Sequence, residues 1–322
     1  MEVSQIHEEL TMAEEMRSEL VGYCYRMIGA YAEAEDAVQD TMLRVWQGKD
    51  QIHNRSALRT WIYRIATNVC LDKLRNAKRR ALPMDLSGAA ASIAEPSENL
   101  PPFAWIGPIP DSSHDPAVLA MNKETIRLSF IALLQTLPPR QRAVLILNEV
   151  FRWSAMQTAE AMDMTVGAVN SALQRARATM KQARLRSDTL RVIDADVDQR
   201  LLTSYVEAFE QYDLDRLLSL FQESASLSMP PYVMWVLGKM DITSFYRATR
   251  SHCAGSRLVP VLANGYCPAY AQYVPAGNDG ELVPWSIHVL EIQGGQIAHV
   301  HHFIDPQLVT RFGLPANLGL DR

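Results

Sequence analysis

Residues 137–180 read LPPRQRAVLILNEVFRWSAMQTAEAMDMTVGAVNSALQRARATM, and three helices can be laid out along that stretch. Pro138 and Pro139 stand where a first helical turn tolerates proline. Ala143, Val144, Ile146 and Leu147 follow at helical spacing, which predicts a supporting helix. Ser154 predicts the cap of a short second helix through Met162, Asp163-Met164 a turn, and Thr165 the cap of a third helix that turns Val169, Leu173 and Ala176 inward. The opposite face of that helix carries Asn170, Ser171, Gln174, Arg175 and Ala178, with Arg177 and Lys181 further along. Amides, hydroxyls and guanidinium forks are the groups that reach base edges and phosphates in a major groove, so the stretch reads as a DNA-binding helix-turn-helix. The competing reading is an ordinary three-helix bundle with a polar outer face.

The rest of the chain constrains that reading. Its 322 residues suggest two or three domains, and 48% hydrophobic with 21% charged residues is a soluble globular composition. The acidic start MEVSQIHEELTMAEEMRSEL lacks a signal peptide's basic and apolar runs, and no window is apolar for the length of a membrane span. A cytoplasmic protein with no membrane role is expected. Cys24, Cys70, Cys253 and Cys267 are far apart and form no metal-binding or disulfide pattern; they read as buried thiols, and neither metal nor cofactor is expected. A net charge of -5 argues against a nonspecific nucleic-acid coat. Yet Arg64, Lys73, Arg75, Lys78, Arg79 and Arg80 cluster in one segment, and Arg175, Arg177, Lys181, Arg184 and Arg186 in another. Two basic segments on an acidic chain fit DNA contact at two places with a partner that holds the protein there.

Upstream, residues 32–46 place Ala37, Met42, Val45 and Trp46 among apolar positions and Glu35, Asp36, Gln39 and Asp40 on an acidic strip. After a loop at 54–56, a helix from Ala57 to Asn76 carries Ile62, Ile65, Ala66, Val69 and Leu74 inward and Arg64, Asn68, Asp72 and Arg75 outward. Trp61 and Tyr63 flank the outer face, where they either stack on unpaired bases or complete the core. Residues 81–116 shift to Ala, Ser, Pro and Gly and read as a linker, in which Trp105 within WIGPIPD is expected to dock on a neighbouring domain.

From Asp194 the pattern changes to α+β. A long helix from Gln199 to Phe221 precedes four strand-like segments, with Gly294-Gly295 a hairpin turn. A two-residue turn there sets His288 opposite His301, with His299 two residues away on the same face of a curved antiparallel sheet. Glu291 falls on the other face in this register, and Asp305 lies nearby as an acid or base candidate. Three imidazoles on one face suit a pocket, although no spacing here marks a metal set.

EAEDAVQDTMLRVW, LRTWIYRIATNVCLDKLR, LPPRQRAVLIL and the helix-turn-helix, in this order, resemble the extracytoplasmic-function branch of the sigma-70 family. WIGPIPD and the later ANGYCPAYAQYV and PWSIHVLEIQGGQIAHVHHFID resemble the subgroup with a fused SnoaL-like (polyketide-cyclase-like) domain. The resemblance implies a multidomain chain: region 2 at 1–80, a linker at 81–116, region 4 at 117–186, and a cone-shaped α+β SnoaL-like domain at 187–322. It implies an RNA polymerase sigma factor without catalysis of its own, whose partners are the polymerase β′ clamp helices and β flap and promoter DNA. Asp36, Gln39, Asp40, Arg44 and Trp46 would then bind core polymerase. Trp61, Arg64, Asn68, Arg75 and Arg79 would serve the minus-10 element, and Asn170, Ser171, Gln174, Arg175 and Arg177 the minus-35 element. Trp105, Pro108 and Asp111 would make the linker contact through which the C-terminal domain modulates activity. His288, His299 and His301 remain the C-terminal pocket candidates. The alternative is a one-component regulator whose SnoaL-like domain binds or transforms a small molecule.

Overall fold

The computed structural model describes residues 11–48, 57–75, 79–90, 99–114, 123–186, 198–276 and 281–319. The loop at 54–56, Lys78 and the connector at 187–193 lie outside them. The chain divides into two compact units, one of residues 1–80 with 111–190 and one of 81–110 with 191–322.

In the first unit, α1 (Arg17–Ile28), α2 (Tyr31–Gln47) and α3 (Leu58–Leu74) pack around Tyr23, Met27, Ile28, Ala37, Val45, Ile62 and Tyr63, all at most 1% exposed. Gly29 ends α1 at φ +87, where a side chain would be strained. The later part holds α4 (Leu128–Gln135), then α5 (Pro139–Leu145) running into a π-turn at Ile146–Val150, then α6 (Ala155–Met162) and α7 (Val166–Arg186). The predicted caps are in place. Ser154 Oγ accepts the Gln157 N–H at 3.2 Å while Gln157 Oε1 accepts the Ser154 N–H at 2.9 Å. Asp163 takes the left-handed conformation (φ 51, ψ 55) and the Thr165 hydroxyl accepts the Ala168 N–H at 3.1 Å.

The second unit is a six-stranded sheet packed against helices. The expected helix 199–221 is broken in two, α8 (Gln199–Glu210) and α9 (Leu214–Ser219). Tyr212 has φ 55, and Asp213 caps the second piece through the Arg216 N–H at 3.0 Å, a local bond that outcompetes helix continuation. Then come β1 (Phe221–Ser228), β2 (Trp235–Leu237), α10 (Lys239–Ala248), β3 (Arg257–Ala263), β4 (Cys267–Ala276), β5 (Glu281–Gln293), β6 (Gln296–Phe303) and α11 (Pro306–Arg311). The strand order is β2-β1-β6-β5-β4-β3, and the β1–β6 pairing is parallel, so the sheet is mixed and not wholly antiparallel. Tyr205, Phe209, Leu227, Tyr246, Leu290 and Val300 form its core with the helices.

Residues 81–110 belong to this unit, and described linker residues bond to it beside β2 and at the β3–β4 turn. The Ala90 N–H donates to Trp235 O (2.9 Å), the Trp235 indole N–H to Ser87 O (2.9 Å), and the Leu100 N–H to Pro231 O (3.1 Å). At the β3–β4 hairpin, the Asn264 N–H donates to Ile109 O (3.1 Å) and the Ile109 N–H to Asn264 Oδ1 (3.3 Å). Within the linker, the Trp105 indole donates to Leu100 O (3.2 Å), and Trp105, Ile106 and Ile109 are buried.

Candidate nucleic-acid and polymerase interface

The recognition helix α7 presents two faces. Val169, Leu173 and Ala176 are buried, while Asn170, Ser171, Gln174 and Arg175 are exposed and lie one helical turn apart along one side. That leaves the amide, hydroxyl and guanidinium donors free to meet a groove. Arg177 is exposed too, but its Nε donates to Glu149 Oε1 on the supporting element at 2.9 Å, so it must leave that pair to touch DNA.

In the earlier helices, Asp36, Gln39, Arg44 and Trp46 are exposed and Asp40 half-buried, forming with Leu43 a single strip of α2. Leu43 is 59% and Trp46 55% exposed, apolar area that an isolated domain gains nothing by showing to water. Leu43 escaped sequence reading because one leucine on a mixed face carries no signal. Lys73 pairs with Asp40 at 3.3 Å and Arg75 with Asp72 at 2.8 Å.

On α3, Asn68 and Arg75 are exposed, as is Arg79 beyond its end, whereas Trp61 and Arg64 are half-buried. A Cβ on Gly48 would lie 2.9 Å from the Trp61 ring, so the indole packs on a glycine at the end of α2. Tyr63 is core. Its ring lies 4.9 Å from Trp153 and 5.6 Å from Phe151, and its hydroxyl donates to Glu19 at 2.8 Å. Burial foremost, and Glu19 with it, hold the Tyr63 phenol well above its ordinary pKa. Arg64 donates to the Glu160 carbonyl of α6 at 2.7 Å. A groove of about 800 Å³ gathers Arg44, Asn68, Asp72 and Arg75 with Arg140 and the Pro138-Pro139 turn, bringing residues of two separate motifs to one place.

In the second unit the expected histidine face is corrected. Ile292 pairs with Ile297, but Glu291 pairs with His299, so Ala298 is an extra residue on β6. Beyond this bulge His288 faces His302, and Val289 faces His301. One inserted residue moves every later side chain to the opposite face. His288 and His302 therefore stack on the helix side at 3.7 Å, while His299 and His301 lie on the other face with Glu291. His301 Nδ1 meets Ser228 Oγ at 3.0 Å, and its Nε2 lies 3.7 Å from Glu291.

His288 has no free ring nitrogen. The Gln272 amide donates to Ser256 (2.9 Å), which points Gln272 Oε1 at Ser286 Oγ (2.8 Å) and His288 Nε2 (3.0 Å). An acceptor there requires His288 to carry its proton on Nε2, so Nδ1 accepts the Tyr205 hydroxyl at 3.0 Å. Burial, then His302, push the His288 pKa well below its ordinary value; burial, then His301, push His302 down to about 3. Both nitrogens of the neutral ring are spent on structure, which disfavours proton-transfer chemistry at His288. Among the described residues no group of three metal-ligating side chains converges, and no helix is long and apolar enough to cross a membrane.

A helical domain with an exposed acidic and aromatic strip, followed by a helix-turn-helix with an open polar face, defines a two-region sigma-70 type of protein. Sigma-70 region 2 matches residues 12–80 and Sigma-70 region 4 matches residues 127–180. The sequence is 41% identical over 314 residues to the ECF RNA polymerase sigma factor SigG of Mycobacterium tuberculosis, spanning 95% of this chain and 83% of SigG. It is 25% identical over 309 residues to the probable ECF sigma factor SigI of the same organism, spanning 94% of each. The crystal structure of the extracytoplasmic function sigma factor SigJ from M. tuberculosis shares the fold, with a TM-score of 0.60 at 21% identity over 95% of this chain and 99% of SigJ. The chain belongs to the ECF RNA polymerase sigma factors, which are non-catalytic polymerase subunits that direct promoter-specific initiation.

Proposed function

We propose that this sigma factor acts in the cytoplasm by docking the α2 strip on the β′ clamp helices, placing region 4 near the β flap, and reading a minus-35 element with Asn170, Ser171, Gln174 and Arg175. The observation that carries this reading is the exposed polar face of α7 set against its buried Val169, Leu173 and Ala176. Asn68, Arg75 and Arg79 supply the accessible part of the minus-10 surface, with Trp61 and Arg64 joining once region 4 moves away. In vitro transcription with purified core polymerase tests the whole reading; no initiation from any mapped promoter would end it. Trp46→Ala is expected to weaken core binding by about 2 kcal/mol, the scale of an aromatic anchor, without lowering the melting temperature. An unchanged core affinity in a titration would remove α2 from the interface.

The C-terminal unit is proposed to modulate that activity through the linker. Support comes from the buried Trp105, Pro108 and Ile109 and from the reciprocal bonds of the Ile109 backbone with the Asn264 N–H and Oδ1. Asp111, buried in the first unit, is the linker residue on the sigma side. Asn264 is fully buried with φ 51, a conformation asparagine tolerates better than most residues. Asn264→Ala is expected to cost about 1–3 kcal/mol by stranding the Ile109 N–H and straining the turn. It should increase protease cleavage between residues 99 and 114 and change transcript yield. Released linker with unaltered transcription would mean that the domain is a passive appendage.

A further inference from the structure

The first turn of α7 carries two residues that packing among the described residues does not explain. Val166 opens the helix and is 44% exposed, whereas Val169, one turn further in, is fully buried. Gly167 follows, exposed and within the helix, and a Cβ added to it would meet nothing within 4 Å. Glycine at an exposed helical position makes a helix less stable than alanine would. No described neighbour demands that loss, so the bare backbone at Gly167 serves something outside the chain. The Thr165 hydroxyl accepts the Ala168 N–H at 3.1 Å, which holds this first turn in helical form.

Residues four apart share one side of a helix. Val166 therefore heads the row that continues to Asn170 and Gln174, and Gly167 heads the row of Ser171 and Arg175, all of them exposed. The polar face of α7 thus extends one turn towards its start, the end of a recognition helix that reaches base edges. A single exposed apolar residue is ordinary on a protein surface; the place of Val166 at the head of this row is what gives it meaning. Valine has no donor and no acceptor. On the base edges of the major groove the one apolar group is the thymine C5 methyl. Opposite a cytosine the same side chain would cover the N4 amino group without bonding it, at the cost of its hydration.

We propose that Val166 reads a thymine of the minus-35 element through its C5 methyl, and that Gly167 is bare so that the start of α7 comes close enough for that contact. Val166 lies about 6 Å from Asn170 along the helix axis, so the thymine belongs to a different base pair from the one Asn170 reads. The assignment rests on α7 as the reader of the minus-35 element and adds the chemistry of its first turn.

The experiment is a binding titration of the full chain with core polymerase on its mapped promoter, each thymine of the minus-35 element being replaced singly by deoxyuridine. That exchange deletes the methyl and keeps every hydrogen-bonding group of the base. One replacement should weaken binding by about fourfold, the worth of one buried methyl group. Val166→Ala should lose a similar factor on the natural element and bind the natural and uracil forms equally, with the melting temperature of the parent. Gly167→Ala should raise the melting temperature and yet weaken binding by about tenfold, a pair of signs that damage to the helix cannot produce. The methyl contact is overturned if the mapped element holds no thymine, if every uracil form binds like the natural one, or if Val166→Ala stays as sensitive to uracil as the parent. Gly167→Ala binding as tightly as the parent overturns the close approach. A minus-35 element that the holoenzyme leaves open to nuclease faults α7 as its reader, and the methyl contact falls with that reading.

Discussion

Acidification from pH 6.5 toward 3 is expected to unfold the C-terminal unit, with His302 as a main contributor. The folded pKa of His302 is depressed to about 3 from an ordinary 6.5, because its ring is buried and lies near His301. Between those values the unfolded chain binds a proton that the folded chain refuses, so stability falls as pH falls; above pH 6.5 the contribution is fully present. At about 1.4 kcal/mol per pH unit the loss reaches up to about 5 kcal/mol at pH 3, a large share of a domain's 5–15 kcal/mol. His288, depressed in the same direction, adds to the slope. His302→Phe keeps an aromatic ring against His288 and cannot titrate. Denaturant melts followed by near-UV circular dichroism should show its stability falling less steeply between pH 6 and 4, by about 1.4 kcal/mol per pH unit. Parallel curves for the two proteins would show that His302 is not held neutral.

Removing the polar groups of α7 should abolish promoter discrimination while leaving the fold intact. Asn170 and Arg175 are exposed, so neither contributes to the core, and each base contact is worth about 1–3 kcal/mol. Asn170→Ala and Arg175→Ala are each expected to weaken binding to the mapped minus-35 element by roughly ten- to a hundredfold and to relax preference at different base pairs. Lys181→Ala is a contrasting control. As a backbone contact it should weaken all sequences alike and lower the salt slope by about one. Competition binding at several salt concentrations separates the two behaviours. Equal loss on cognate and scrambled DNA for Asn170→Ala and Arg175→Ala would show that α7 holds phosphates and reads no bases.

The helix-turn-helix was legible because each of its signals is local. Ser154 and Gln157 cap α6 within one turn, Asp163 accepts φ 51 where few residues do, and the three- and four-residue spacing of Val169, Leu173 and Ala176 separates the two faces of α7. The α2 strip was legible for the same reason. Tyr63 was undecided, since a tyrosine beside arginine suits either a base or a core. Phe151 and Trp153, nearly ninety residues away, decide it. Residues 81–116 read as a linker because Pro, Ser and Ala leave no periodicity, and the structure folds 81–110 into the second unit. On the linker side their bonds to Trp235 and Asn264 are made by backbone groups, which composition cannot reveal.

Local sequence thus determined the helix-turn-helix, its caps and the exposed polar face of α7, and marked most of the strand-bearing segments, though not the break at Tyr212 or the short strand β2. Tertiary structure alone decided the parallel β1–β6 pairing and which histidines share a face. A period-two pattern is unchanged when one strand gains a residue, and the bulge at Ala298 exchanges His301 for His302 opposite His288 through a pairing that neither strand encodes by itself.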